Sequence, residues 1–205
     1  MAYKETDKFL WAQVREGNHD ALAKLFKTYY AGLFAYGLKI NSSPDFVRDQ
    51  IQELFLTLWQ SHNKLSEASN VKAYLLVSLR RSMLVSRKTR CSEEISYNTN
   101  SDFLVFEPNE FIDKQEISSK VKSRLLKNIN TLPEKQREVV FLRFYHGLGY
   151  REISEVVDVK EQSVKNMMPK IFNKLREGLT DIKRDDLSDL DVLLFEFFML
   201  FLKKS

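Results

Sequence analysis

The sequence predicts an all-α chain: two helical domains joined by a polar linker, the C-terminal one a helix-turn-helix. Three observations point there. Apolar residues recur at three- and four-residue spacing through long stretches rich in leucine, lysine and glutamate, and 205 residues include only six glycines and four prolines. The run 91–101 is polar and poor in large apolar residues, which marks a linker. Near the C-terminal end, a short helical pattern, a three-residue turn and a longer basic helical pattern follow one another. An apolar fraction of 43% with 12% aromatics supports a folded chain rather than a disordered one.

Each element follows from local pattern. Over residues 20–39, Leu22, Leu25, Phe26, Tyr29, Tyr30, Leu33, Phe34, Tyr36 and Leu38 form a helical stripe. The segment NSSPD is a loop and a helix start, with Pro44 near the first turn. Residues 46–61 form the next helix on Val47, Ile51, Leu54, Phe55, Leu58 and Trp59, and HNKLSEASN breaks it. A third helix spans 71–88, with Tyr74, Leu75, Val77, Leu79, Met83 and Leu84 on its apolar face. After the linker, 103–111 supplies a few aromatics, and 118–130 is a helix leading into Leu132-Pro133. EKQREVVFLRFYHGL forms one helix ended at Gly147 or Gly149, YREISEVV a short second, and Glu161 opens a third after Asp158-Val159-Lys160. The domains read as 1–90, a linker 91–117, 118–180 and an extension 181–205.

Several chemistries have no foothold. Cys91 is the single cysteine, so no intrachain disulfide forms, which suits the cytoplasm. His19, His62 and His146 lie far apart, and no Cys/His pair has metal-ligand spacing. There is no glycine-rich phosphate loop, no nucleophile motif and no secretory signal. The expectation is a cytoplasmic protein without enzymatic activity, cofactor, metal or small-molecule substrate.

Charge distribution says more than the net +4. Between 61 and 90, Lys64, Lys72, Arg80, Arg81, Arg87, Lys88 and Arg90 face only Glu67. A second cationic excess spans 131–180, and the stretch between the two is acidic. Two basic blocks suggest two contacts with one polyanion, a solvated basic face being the plain alternative. On the helix opened by Glu161, Val164, Met167, Met168, Ile171 and Leu175 share one face, and Gln162, Ser163, Lys165, Asn166, Pro169 and Lys170 the other. Gln and Asn can bond bidentately to adenine, Lys reaches guanine acceptors or phosphate, and the start of such a helix is its base-reading end. Arg151 and Lys174 suit phosphates, which fix register. Pro169 removes the bond to the Lys165 carbonyl, so a bend is expected there.

The segment from Leu132-Pro133 through Arg137/Glu138, Gly147/Tyr150/Ile153 and Val164-Lys165 to Leu175-Arg176 resembles the promoter-reading C-terminal domain of bacterial sigma factors. Residues 21–88 are similar to the domain that opens the −10 element, and the two-domain length resembles the extracytoplasmic-function (ECF) subgroup of the sigma-70 family. The resemblance implies a transcription-initiation factor that binds core RNA polymerase and promoter DNA. In DFVRDQIQELFLTLW, Asp49, Gln52 and Glu53 match the family's polymerase-binding helix and would meet the beta-prime clamp helices. The −35 readers would be Glu161, Gln162, Ser163, Lys165, Asn166 and Lys170, supported by Lys174 and Arg151. The loop within 63–70 would receive an unstacked base, with Asn63, Ser66, Ser69 and Asn70 for its edge and Tyr74 for stacking or simply for the core. Lys72, Arg80, Arg81, Arg87 and Lys88 would hold the single strand. The family often has Trp near Tyr74 and Asn at the Arg81 position, where this chain departs.

The tail DLSDLDVLLFEFFMLFLKKS lies beyond the resemblance. Its apolar run, 192–202 with Glu196 inside, is shorter than the roughly 20 residues of a bilayer span. It reads as a helix that packs on the DNA-binding domain or on a partner such as an anti-sigma factor, with membrane-surface association as the weaker reading. Two alternatives stand beside the sigma reading: a helix-turn-helix regulator acting without promoter melting, and a helical adaptor whose basic blocks or tail bind a membrane or receptor.

Overall fold

The computed structural model describes residues 2–93 and 119–177, with side chains over 6–86 and 123–177. Among these residues every regular element is helical. The expected linker from residue 94 on, the aromatics of 103–111, the side chains of Arg87 and Lys88 and the apolar tail lie outside the described residues, while 91–93 of that linker are helical. Contacts divide the chain into two units, 1–103 and 104–205.

Unit 1 begins with a helix that the pattern reading did not anticipate, α1 (Ala2–Arg15). It stops at Gly17, whose φ of +84° is open to glycine at no steric cost. The Gly17 amide bonds the Val14 carbonyl and the Asn18 amide the Gln13 carbonyl, which satisfies two acceptors at the helix end. Asn18 then caps α2 (His19–Ile40) by accepting from the Ala21 amide. Ser43 caps α3 (Pro44–Gln60), with Pro44 in the first turn where its missing N–H costs nothing. A single 3-10 turn (His62–Lys64) and a loop lead to α4 (Val71–Glu93), which Asn70 caps through the Ala73 amide. α4 runs five residues beyond the expected end at 88.

Helix α2 packs on α1, α3 and α4, and α3 packs on α4. The buried set is Trp11, Val14, Leu25, Leu33, Tyr36, Val47, Ile51, Leu58, Leu75, Leu76, Leu79 and Met83. Burying such side chains stabilises by about 1.5–3 kcal/mol each before entropy is counted, so packing rather than propensity fixes the helices. α2 and α3 meet closely at Gly37, where a Cβ would lie 2.4 Å from a Val47 methyl.

Unit 2 contains α5 (Ser119–Asn130), α6 (Glu134–Phe144), α7 (Tyr150–Val157) and α8 (Glu161–Glu177). α6 ends at Phe144, before either glycine expected to stop it. The reversal is made by Gly147 at φ +66°, and the Leu148 amide bonds the Leu142 carbonyl. α7 opens with the Gly149 amide bonded to the Glu152 carboxylate. It closes at Asp158, which takes the left-handed conformation at φ 54° that Asp tolerates better than most residues. The turn 158–160 then turns the chain directly into α8. Phe141, Leu148, Ile153, Val157, Val164, Met168, Ile171 and Leu175 fill the core of this helix-turn-helix. α8 is a single helix through Pro169, whose ring is exposed.

Candidate nucleic-acid interface

The sequence separates α8 into two faces, and burial follows that division. Val164, Met168, Ile171 and Leu175 are buried and Met167 is half-buried. Gln162, Lys165, Asn166 and Lys170 are exposed, while Glu161 and Ser163 are half-buried. The core contacts therefore hold the helix at a fixed rotation and present one polar edge outward.

The outward residues pair with each other one turn apart. The Gln162 Nε2 donates to Asn166 Oδ1 at 2.9 Å, and Lys165 Nζ lies 2.8 Å from Glu161 Oε1. Both pairs are exposed, so each contributes only a few tenths of a kcal/mol to the helix, about 0.2–0.5. Arg151 is exposed on α7 and lies 3.4 Å from Glu155. Lys174 donates to the Thr131 carbonyl at 3.1 Å, just beyond the end of α5. That bond directs a side chain expected at phosphate toward the carbonyl end of a neighbouring helix, where a cation is electrostatically welcome. Beneath the turn, Arg143 is buried, donates to the Leu148 carbonyl and sits 5.1 Å from the Tyr150 ring centroid. Burial pushes the Tyr150 phenol above its ordinary value, and the charges of Arg143 and Lys165 pull it partly back.

In unit 1, Asn63, Ser66 and Ser69 are exposed and Asn70 is half-buried. Asn70 uses its side-chain oxygen as the α4 cap. Tyr74 is half-buried with its ring 4.9 Å from that of Trp11. The Tyr74 ring thus has the Trp11 indole as a tilted neighbour. Arg81 is exposed, and Lys72 and Arg80 are half-buried on the same helix.

The loop is held from a side that pattern reading missed. Trp11 Nε1 donates to the Ser66 carbonyl at 3.0 Å, and Arg15 Nε donates to the Leu65 carbonyl at 2.8 Å. A cavity of about 490 Å³ lies between α1 and the loop, lined by Lys8, Trp11, Ala12, Arg15, Glu67, Ala68 and Ser69. Its walls bring Ser69 to two cations and an indole, none of which was expected there. The usable signal was Leu10, Trp11 and Val14 at helical spacing before the Gly17 stop.

On α3, Asp49, Gln52 and Glu53 are all exposed on one face. Leu56 continues that face one turn on and is 55% exposed, a large apolar residue beside the acids that the stripe analysis did not single out. Gln50 points the other way and accepts from Ser82 and Ser86 of α4.

Among the described residues there is no cluster that could hold a metal ion, and no helix is long and apolar enough to cross a membrane.

Residues 122–175 match the family Sigma-70, region 4. Over 178 residues the chain is 24% identical to the ECF RNA polymerase sigma factor SigK of Mycobacterium sp. strain JLS, covering 85% of this chain and 87% of that one. Its fold is similar to that of CnrH, solved in complex with the cytosolic domain of CnrY. The TM-score there is 0.57 and the identity 18%, over 87% of this chain and 99% of the other. It is also similar to the sigma factor RpoE of Bartonella quintana, solved with the anti-sigma factor NepR. That match has a TM-score of 0.53 and 22% identity, over 78% of this chain and 98% of the other.

Proposed function

We propose that this chain, a member of the ECF group of the sigma-70 family, binds core RNA polymerase and directs it to promoters through two DNA contacts. The polymerase performs the chemistry, and the chain acts in the cytoplasm as a specificity subunit. The observation that carries the reading is α8: a helix rotated by its buried face so that Gln162, Lys165 and Asn166 stand outward, within the segment that matches region 4.

Gln162 and Asn166 read base edges at the −35 element, with Glu161, Ser163 and Lys165 beside them and Lys170 and Arg151 on flanking phosphates. Lys174 reaches phosphate after exchanging its Thr131 bond. The loop 63–70 and the cations of α4 hold the non-template strand at the −10 element, where phosphate charge favours binding by counterion release. Asp49, Gln52 and Glu53 meet the beta-prime clamp helices, with Leu56 as the apolar centre of that contact. The similar sigma factor RpoE was solved with the anti-sigma factor NepR, which supports an anti-sigma partner for this chain too.

The test is reconstituted transcription with purified core polymerase on a random promoter library. Enrichment of a −35 and −10 pair, dependent on this chain, is the expected result. Specific duplex binding by the chain alone, with no opened promoter when core is added, would reject the sigma reading in favour of a regulator.

A further inference from the structure

From the contacts between α1 and the loop, we infer that Trp11 and Arg15 are positioning residues that set the shape of residues 65–69. Through that loop they govern which base the chain accepts at the −10 element. The inference rests on the −10 assignment proposed above and adds to it residues from a helix outside the loop.

Two consecutive carbonyls, Leu65 and Ser66, accept side-chain donors from sequence positions 50 and 55 residues earlier. Loop carbonyls at a surface ordinarily bond water, which leaves the backbone free to shift. Here each is tied to a side-chain donor, and the indole has little freedom of its own. Trp11 is 2% exposed, with its ring against Tyr74 in the first turn of α4. The indole thus touches both the loop and the helix the loop runs into. Arg15 reaches Leu65 with Nε, and its Nη1 lies 3.8 Å from the Glu67 carboxylate. Glu67 is almost fully exposed, so that ion pair is weak, and the hold rests on the two hydrogen bonds.

The ends of the loop are fixed as well. The Lys64 amide bonds Ser61 and the Leu65 amide bonds His62, while Asn70 caps α4. Residues 67–69 are left to span between anchors, and Glu67 and Ser69 form one wall of the cavity whose other wall is Lys8, Trp11 and Arg15. A shift of the Leu65 or Ser66 carbonyl moves that wall. A pocket that must tell one extruded base from another by hydrogen bonds to its edge loses discrimination when its wall moves.

The experiment uses the full chain with Trp11→Phe, which keeps an aromatic ring but removes the N–H, and Arg15→Lys, which keeps the charge but loses the guanidinium Nε that bonds Leu65. In competition on promoters randomised at the −10 element, each variant with core polymerase should discriminate the preferred base about three- to tenfold less well. The −35 preference and affinity for core should be unchanged, and Phe9→Ala, on the exposed side of α1, should change neither. A merely structural role would lower output at all promoters alike and leave base preference intact, which overturns the proposal. Hydrogen exchange of the Trp11 indole N–H gives a readout independent of polymerase: slow in the unsubstituted chain, faster in Arg15→Lys. Exchange as fast as that of a free indole in the unsubstituted chain overturns the proposal too. If the indole is protected but no promoter opens, the sigma reading fails and the specificity role with it. If promoters open and −10 preference survives both substitutions, the positioning role alone fails.

Discussion

Replacing Gly37 by alanine tests whether α2 and α3 are packed as described. The new methyl would lie 2.4 Å from Val47 Cγ1, against the roughly 3.5–4.0 Å at which carbon atoms pack. The helices must part by about 1 Å or Val47 must leave its rotamer, which a β-branched side chain resists. Val47 is wholly buried, so there is no solvent for it to swing into. Overpacking costs about 1–3 kcal/mol, and a contact this short against a fixed neighbour belongs at about 2–3, while alanine returns about 1 kcal/mol of helix propensity. The net expectation is a loss of about 1–2 kcal/mol. Val47→Ala alone should cost about 2 kcal/mol through lost burial and a cavity. The double substitution should cost well below the sum, because the alanine methyl occupies the space Val47 vacates. Urea unfolding followed by tryptophan fluorescence isolates this unit, since both tryptophans, Trp11 and Trp59, lie in residues 1–103. With a slope of about 1–2 kcal/mol per molar, the single substitution should lower the midpoint by about 1 M. A Gly37→Ala protein as stable as its parent, or strictly additive losses in the double, would refute the packing argument.

Other predictions follow from unit 2. Gln162→Ala or Asn166→Ala should relax preference at one or two −35 positions by about 1–3 kcal/mol each. Because the two side chains bond each other, the double variant should cost less than the sum; equal losses at every promoter would remove them as readers. Pro169→Ala should stabilise unit 2 by up to about 3 kcal/mol in helical circular dichroism melts, since alanine restores the donor and relieves the ring clash. It should alter promoter affinity with little change of −35 sequence, and a switched preference would count against the assignment. Tyr150 keeps its proton to higher pH folded than unfolded. Its contribution is complete below about pH 10 and is lost as pH rises through the higher folded value. Tyr150→Phe should flatten that alkaline decline in urea midpoints; an unchanged slope would reject the cause.

What could be read in the sequence was what local geometry dictates. The face of α8 followed from Val164, Met168, Ile171 and Leu175 at helical spacing, and the turn before it from Asp158 to Lys160. α3 followed from the same periodicity, whereas its acids were singled out by the resemblance to the family's polymerase-binding helix. What could not be read depended on distant partners. No pattern says that Trp11 meets Ser66, or that Lys174 turns to Thr131 instead of outward. α1 itself was overlooked because its stripe is short, set among charges, and shares the helix with an exposed Phe9. Asn70 was legible as a polar loop residue, but its commitment as a cap needed the start of α4 to be known.

The mutual pairing along α8 has a consequence for how errors are tolerated. A reader that meets the wrong base usually strands a polar group without a partner, and that penalty is larger than the gain from a correct contact. Gln162 and Asn166 have somewhere to return to, as do Glu161 and Lys165. For a protein that reads with these residues, a mismatch forfeits a gain without adding a penalty. Each base position is then a lenient judge. Stringency must come from the conjunction of two distant elements, so that dwell time on a half-correct site stays short.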